Sequence, residues 1–174
     1  MKIYYQLEEP TFNGGLGVLP VSIKLTYTPT KIPLYSLPLL YDKIKETNCL
    51  DLIIDGPITD EVSLEGLSWL TPKLISEGYF ISYHTNIEEI LPSVIFTRYI
   101  FDANLHILRR RKDIGGLKEN VIIILTDKTI PEFKMSRMLL LKNNIKAKVM
   151  FDERGIDRKL ILEEGLYDIH PYGG

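Results

Sequence analysis

The clearest fold signal is the stretch VIIILTDKTIPEFKMSRMLLL at residues 121–141. Its five consecutive aliphatic residues, 121–125, predict a buried strand. An amphipathic pattern then predicts a helix over residues 130–141, which Asp127 or Thr129 can cap and in whose first turn Pro131 is tolerated. A buried strand followed at once by a helix is a βα unit, the building block of parallel sheets.

The same pattern recurs on both sides of this stretch. Further strands are predicted at residues 21–27, 52–54, 80–83, 94–96 and 147–151, and further helices at 38–47 and 64–76, the second of which Gly78 ends. The six βα-like units predict an α/β fold, a partial and open (β/α)6-type barrel with a mostly parallel sheet, in a single domain over residues 1–174. Ligands of such sheets bind beyond the carboxyl ends of the strands.

Both of the longer predicted helices have an apolar face that we expect to pack on the core. In the first helix that face consists of Leu64, Leu67, Leu70, Leu74 and Ile75. In the second helix it consists of Phe133, Met135, Met138, Leu139 and Leu141.

Length and composition exclude several classes of protein. A chain of 174 residues is shorter than the roughly 250 of a closed eight-unit barrel. With 21 basic and 23 acidic side chains it lacks the basic character of a dedicated nucleic-acid binder, and we predict no nucleic-acid partner. The run RRRK at residues 109–112 indicates a solvated helix end or, alternatively, a local patch for an acidic partner. No apolar run is long enough to span a membrane, which predicts a cytoplasmic protein.

The chain contains one cysteine, Cys49. A single thiol excludes an internal disulfide framework, and it excludes zinc or iron–sulfur sites built from several cysteines.

The segment GVLPVSIKLTYTPTKIPLY at residues 17–35 resembles the opening of small radical S-adenosylmethionine enzymes. The similarity is greatest to the 7-carboxy-7-deazaguanine synthases and, more distantly, to the activating enzymes of anaerobic ribonucleotide reductase. In those families a strand similar to Ile23-Lys24-Leu25 precedes a Cys-x-x-x-Cys-x-x-Cys loop that holds an iron–sulfur cluster. Here Thr28, Ile32 and Tyr35 stand at the three cysteine positions. Because none of them is a thiolate, the resemblance implies a degenerate member without the cluster and without radical chemistry.

The resemblance continues downstream. Gly56 and Pro57 stand where the family has a Gly-Gly-Glu-Pro motif that contacts the methionine part of the cofactor, although the glutamate is missing. Thr85 and Asn86 stand where the family often has Thr-Asn-Gly. These four residues are therefore the cofactor-binding positions that the resemblance implies, and the homodimers common among the small enzymes imply self-association. No cofactor is expected, and binding of S-adenosylmethionine is not favoured.

Four polar residues follow predicted strands and are the candidates for chemistry. His84 could act as a ligand contact or general base, or it could simply bond to backbone in a turn, since no acidic partner stands near it in the sequence. Asp55, Asp127 and Asp152 could form a ring of carboxylates for a polar ligand or a divalent cation, although aspartates at such places also cap helices. No metal-ligand spacing is present, and we predict no metal site.

Two functions remain open. The first is a pseudoenzyme that acts as a binding, regulatory or assembly factor, through a protein partner, through self-association or through a small molecule at the barrel mouth. The second is a non-radical enzyme that uses the polar residues at that mouth, with or without a divalent metal, on a nucleotide-like or deazapurine-like substrate. Fold alone does not choose between them.

Overall fold

The structure is a computed structural model. It describes residues 4–7, 21–26, 34–35, 37–46, 50–58, 61–88, 93–110, 120–145 and 147–172, the first three of these ranges as backbone. The elements in chain order are β1 Tyr4–Leu7, β2 Val21–Thr26, β3 Leu34–Tyr35, α1 Leu37–Glu46, β4 Asp51–Asp55, α2 Glu61–Ser76, β5 Phe80–Asn86, β6 Arg98–Ala103, α3 Leu105–Arg110, β7 Val121–Leu125, α4 Ile130–Lys142, β8 Lys148–Asp152, α5 Arg158–Glu163 and β9 His170–Tyr172.

The chain divides into two compact units. Of the described residues, the first unit holds those up to Thr85 together with 93–98, and the second holds 86–88 and everything from Tyr99 onward.

The first unit is built on the strand order β3-β1-β2-β4-β5. β1 is antiparallel to both β2 and β3, whereas β2, β4 and β5 are parallel. Two helices supply its core with side chains at helical spacing: Leu40 and Ile44 from α1, and Leu67, Leu70 and Leu74 from α2, all at most 1% exposed. The unit therefore has the βαβαβ pattern, which requires a helix to return the chain between parallel strands.

Gly78 ends α2 as the sequence predicts. Its φ of +94° belongs to the left-handed region, and its N–H donates to the Ile75 carbonyl at 3.0 Å. Tyr79 donates in turn to Leu74, so the last carbonyls of the helix are satisfied by the turn that follows.

The second unit has the strand order β6-β7-β8-β9, with every neighbouring pair parallel. All five residues of β7 are buried, as a strand covered on both faces requires. Phe133 of α4 and Phe151 of β8 meet edge to face, with ring centroids 6.3 Å apart, in the middle of one apolar cluster.

The predicted α/β class with mostly parallel strands is confirmed within each unit. The strands predicted at 21–27, 52–54, 80–83, 121–125 and 147–151 and the helices at 38–47, 64–76 and 130–141 all exist. The prediction of one domain over residues 1–174 stays a prediction. None of the helices in the described part of the chain has the length and apolar character that a membrane crossing needs.

The strand predicted at residues 94–96 is wrong, because the strand is β6, Arg98–Ala103. Val94 and Phe96 are buried and Ile95 is 79% exposed, so the alternation is real. It arises from packing rather than from pairing: Phe96 stacks on Tyr83 with centroids 4.8 Å apart. Residues that alternate between buried and exposed positions have the same period of two as a strand even when they do not pair in a sheet.

The predicted core face of α4 is also partly wrong. Met135, Met138 and Leu141 are 45%, 68% and 68% exposed, whereas Phe133 and Leu140 are buried. In α2, Ile75 is likewise 37% exposed. The physical reason in α4 is that its inward face includes a serine, Ser136, whose hydroxyl has a buried partner.

Candidate functional site

Asp55 and His84 lie side by side at the carboxyl ends of β4 and β5. The two residues are register partners in this parallel pair, and His84 Nδ1 lies 3.4 Å from Asp55 Oδ1. Their side chains are 18% (His84) and 27% (Asp55) exposed, so the pair is reachable and partly shielded from water. The distance exceeds that of an ordinary N–H···O bond, about 2.9 Å, but such pairs often tighten only when a ligand is present.

The turn after β4 holds this pair in place. Gly56 donates its N–H to the His84 carbonyl at 2.7 Å, and Ile58 donates to the Tyr83 hydroxyl at 3.0 Å. The Gly56–Pro57 peptide bond is cis. A Cβ on Gly56 would lie 2.7 Å from Cζ of the buried Tyr83 ring, so only glycine fits this approach. Hydrogen bonds thus join the turn that contains Gly56 and Pro57 to the end of β5.

One face of β4 and β5, here called the polar face, carries Asp51, Asp55, Ser82 and His84, and the apolar residues Ile53 and Phe80 lie on it as well. Side chains alternate between faces along a strand, so the face that carries Asp55 and His84 also carries Ser82. Ser82 is fully buried, and its hydroxyl has no hydrogen-bond partner among the described residues. The opposite face is formed by the buried residues Leu52, Ile54, Ile81, Tyr83 and Thr85.

The polar face continues to the amino ends of the strands. Asp51 is the register partner of Phe80, and the Arg98 guanidinium lies 4.6 Å from the centroid of that ring. Burial raises the pKa of the Asp51 carboxyl above its ordinary value, and the positive charge of Arg98 offsets part of this effect. At the carboxyl end of β4, the neighbouring strand on the other side is β2, and its Lys24 is the register partner of Asp55.

Thr85 and Asn86, two of the cofactor-binding positions that the resemblance implies, differ in their surroundings. Thr85 is 3% exposed and lies on the face opposite to His84, and its hydroxyl has no partner within the described ranges. The Asn86 side-chain oxygen accepts the Glu88 N–H at 2.9 Å, which is a local turn contact.

Asp127 lies in the second unit and is 3% exposed. One carboxylate oxygen accepts the Leu105 N–H at 2.9 Å, and the other accepts the Ser136 hydroxyl at 2.6 Å. Asp127 therefore caps α3 and ties it to α4, while the N-cap of α4 itself is Thr129. A carboxylate occupied in this way is a structural element of its unit.

Asp152, also in the second unit, is held by Arg154. The Arg154 Nε and Nη2 atoms donate to the two carboxylate oxygens at 3.0 and 3.2 Å, and the backbone N–H adds a third bond at 3.0 Å. This contact raises the pKa of the Arg154 guanidinium above its usual range. Since Arg154 is 76% exposed, the ion pair presents a cation to solvent at the end of β8.

The structure describes only one of the three positions at which the resemblance implies cysteines. Thr28 and Ile32 lie outside the described residues, as does Cys49, and Tyr35 is the last residue of β3, where it is the register partner of Tyr5. Throughout the described ranges, no group of three or more His, Cys, Asp or Glu side chains is placed to hold a metal ion.

The sequence indicates His84 and Asp55 as two separate candidates and does not indicate that they form a pair. The signal that could have joined them is strand register, since each is near the end of its strand and adjacent parallel strands align their carboxyl ends. The sequence does not indicate that Ser82 is buried, because a serine within a short apolar run occurs in buried strands and in exposed ones.

Comparison of the chain with protein-family models, with curated proteins and with solved structures finds no match.

Proposed function

We propose that this chain is a cluster-less relative of the radical S-adenosylmethionine enzymes that acts by binding a small polar molecule on the polar face of its first unit. The observation that carries the proposal is the partly exposed Asp55–His84 pair at the carboxyl ends of β4 and β5. Strands in parallel sheets are ordinarily near-continuous apolar runs, and ligands of such sheets bind beyond the carboxyl ends of the strands. Two ionisable side chains that lie together at that end and are reachable from solvent therefore support a ligand contact.

The chemistry of the pair defines the ligand class. The Asp55 carboxylate accepts hydrogen bonds, and a His84 ring that donates from Nδ1 to Asp55 is in the tautomer whose Nε2 is an acceptor. A planar heterocycle with several N–H donors, such as a nucleotide-like or deazapurine-like compound, complements acceptors of this kind. The resemblance to deazaguanine synthases points to the same class.

The same pair also supports a second candidate, a non-radical enzyme. A carboxylate that orients an imidazole is the arrangement of a general base, and it would let His84 remove a proton from a bound substrate. The two candidates differ in one measurable respect, which is whether the bound compound turns over.

A role in regulation or assembly in the cytoplasm, including self-association, belongs to the same proposal. The exposed apolar residues Met135, Met138 and Leu141 on α4 support it, because apolar side chains grouped on one surface commonly mark protein contacts. Sedimentation over a range of protein concentrations is expected to show a reversible dimer, and a monomer at every concentration would contradict this part.

Ligand-induced stabilisation tests the binding proposal. Thermal unfolding is measured with S-adenosylmethionine, S-adenosylhomocysteine, a 7-deazapurine carboxylic acid and guanine nucleotides as separate probes. A compound present at 100 times its dissociation constant adds about 2.7 kcal/mol to the free energy of unfolding. We expect at least one heterocyclic probe to do so in the unaltered protein and to lose the effect in His84→Ala and Asp55→Asn.

The matched control is His106→Ala, because His106 is exposed on α3. This variant should respond to the probe as the unaltered protein does. Equal loss in the control, or stabilisation that survives both site variants, would move the binding site elsewhere. Turnover of the stabilising compound, abolished by His84→Ala, would favour the enzyme over the binding protein.

A further inference from the structure

A cavity of about 260 Å³ lies in the second unit, away from the carboxyl ends of its strands. Its walls come from the carboxyl-terminal half of α4, the start of β8 and the chain that leads into β9. The apolar lining consists of Leu140, Leu141, Ile145, Ala147, Val149 and Ile169. The cavity is somewhat smaller than the roughly 300–1,000 Å³ of sites for drug-sized molecules, so it suits a compact ligand.

The charged groups of this cavity are two cations and one anion. Arg137 and Lys148 contribute the cations, Asp168 is the one carboxylate among the lining residues, and His170 adds an imidazole. Lys148 and His170 are the first residues of β8 and β9 and are exposed, whereas the Arg137 side chain is only 20% exposed. A small apolar cavity whose charged groups are mostly positive favours an anion that also has an apolar part.

Asp168 already shows how such an anion can be held. Its carboxylate forms an ion pair with Arg137 Nη2, although the Asp168 side chain is 70% exposed. The two partners therefore differ in exposure: the Arg137 guanidinium is largely buried in the cavity wall, and the Asp168 carboxylate is exposed to solvent. Because the Asp168 carboxylate is exposed, water can solvate it when it leaves, and a ligand carboxylate that takes its place keeps the largely buried Arg137 guanidinium paired.

We propose that this cavity binds a small monocarboxylate with a short hydrocarbon chain, whose carboxylate displaces Asp168 from Arg137. The guanidinium fork matches the planar carboxylate, and the hydrocarbon chain lies against Leu140, Ile145 and Val149. Inorganic phosphate shares the charge but has no apolar part, so it should bind more weakly. This site is independent of the polar face of the first unit and rests on different residues.

The test is a titration of the full chain followed by amide chemical shifts, with sodium hexanoate as the probe. We expect saturable shifts concentrated at residues 147–149 and 168–170. Hexanol, which lacks the charge, and inorganic phosphate, which lacks the chain, should both bind more weakly than hexanoate. The absence of saturable shifts at these residues, or phosphate binding as tightly as hexanoate, would overturn the proposal.

Two variants separate this mechanism from simple attraction to a positive surface. Arg137→Gln should weaken hexanoate binding by at least about tenfold, as expected when one charge of a shielded pair is removed. Asp168→Asn removes the competing carboxylate and should therefore bind hexanoate several-fold more tightly. Asp168 is an exposed residue, so this variant is expected to fold even if Arg137→Gln does not. Unchanged or weaker binding by Asp168→Asn contradicts the displacement of Asp168.

Discussion

Asp127 is a residue for which the sequence leaves two roles open, carboxylate chemistry and helix capping, and its contacts in the structure are those of a cap. Its two oxygens accept from a backbone N–H at the start of α3 and from a hydroxyl inside α4, and all of these groups are shielded from water. The cap on α3 is completed by Asn104, whose side chain accepts the Ile107 N–H at 2.9 Å. Asp127 thus links two helices to the loop after β7.

We therefore expect Asp127→Ala to lower the free energy of unfolding by about 2–4 kcal/mol, because it leaves two buried donors without acceptors. The matched control is Asp157→Ala. Asp157 also accepts a backbone N–H at a helix start, from Lys159 at 2.9 Å, but it is exposed, so its loss should cost about 1 kcal/mol. Urea denaturation of both variants measures the difference, and equal losses would contradict the role given to Asp127.

Asp51 predicts a pH dependence. Because burial raises the pKa of its carboxyl in the folded chain, the folded state binds the proton more tightly than the unfolded state does. The wild type consequently loses stability as the pH rises through the range between the unfolded and folded pKa values, and it does not regain it above that range. Asn at this position carries no charge at any pH and avoids the loss.

The expected result is that Asp51→Asn is more stable than the wild type at pH 7, and that the difference shrinks when unfolding is measured at pH 3. Asp42→Asn, at an exposed site on α1, serves as the control and should show little difference at either pH. If Asp51→Asn were instead less stable at pH 7, the attraction between Asp51 and Arg98 would outweigh the effect of burial.

Among the helices and strands, α4 is one whose existence the sequence predicts and whose buried face it does not. The sequence predicts the helix and its capping region well, because Thr129 and Pro131 are local signals. It does not predict which face is buried, because two apolar stripes compete and the buried one includes Ser136. The hydrogen bond from Ser136 to Asp127 makes a serine favourable inside, and because it runs from the helix back to the loop before it, the helical period of the apolar residues does not predict it.

The two faces of α4 should respond differently to truncation. Leu140→Ala is expected to lower the free energy of unfolding by about 2–5 kcal/mol, since it empties space in the core. Met138→Ala, on the outer face, should change it by no more than about 0.5 kcal/mol. Chemical denaturation of the two variants in parallel decides the point, and a large loss in Met138→Ala would place the core on the other face.

In the whole molecule, the order of the βα units could be predicted from the sequence, because apolar residues recur with a different period in strands and in helices. The short elements β1, β3, α5 and β9 could not, since runs of two to six residues carry too little periodicity. The candidate site was predictable only as separate residues. Its essential feature, the contact of Asp55 with His84, depends on the pairing of β4 with β5, which the sequence indicates only indirectly, through the alignment of the carboxyl ends of parallel strands.

The proposal that this chain is a cluster-less relative of the radical S-adenosylmethionine enzymes makes a prediction for the entire chain. With one cysteine in 174 residues, anaerobic reconstitution with iron and sulfide should leave the protein without the visible absorbance of an iron–sulfur cluster. Cys49→Ser should behave identically, because a lone thiol cannot provide the three ligands of such a cluster. A stoichiometric cluster in the unaltered chain would refute the assignment.

β9 has a consequence for how copies of this protein meet one another at high concentration. It is the last strand in the order β6-β7-β8-β9, it has three residues, and its middle residue is Pro171. Exposed sheet edges recruit foreign strands and seed aggregates, and natural proteins counter this with short edge strands and with proline, which has no N–H to donate. His170–Tyr172 combines both devices, so it is a poor template for the growth of a fibril.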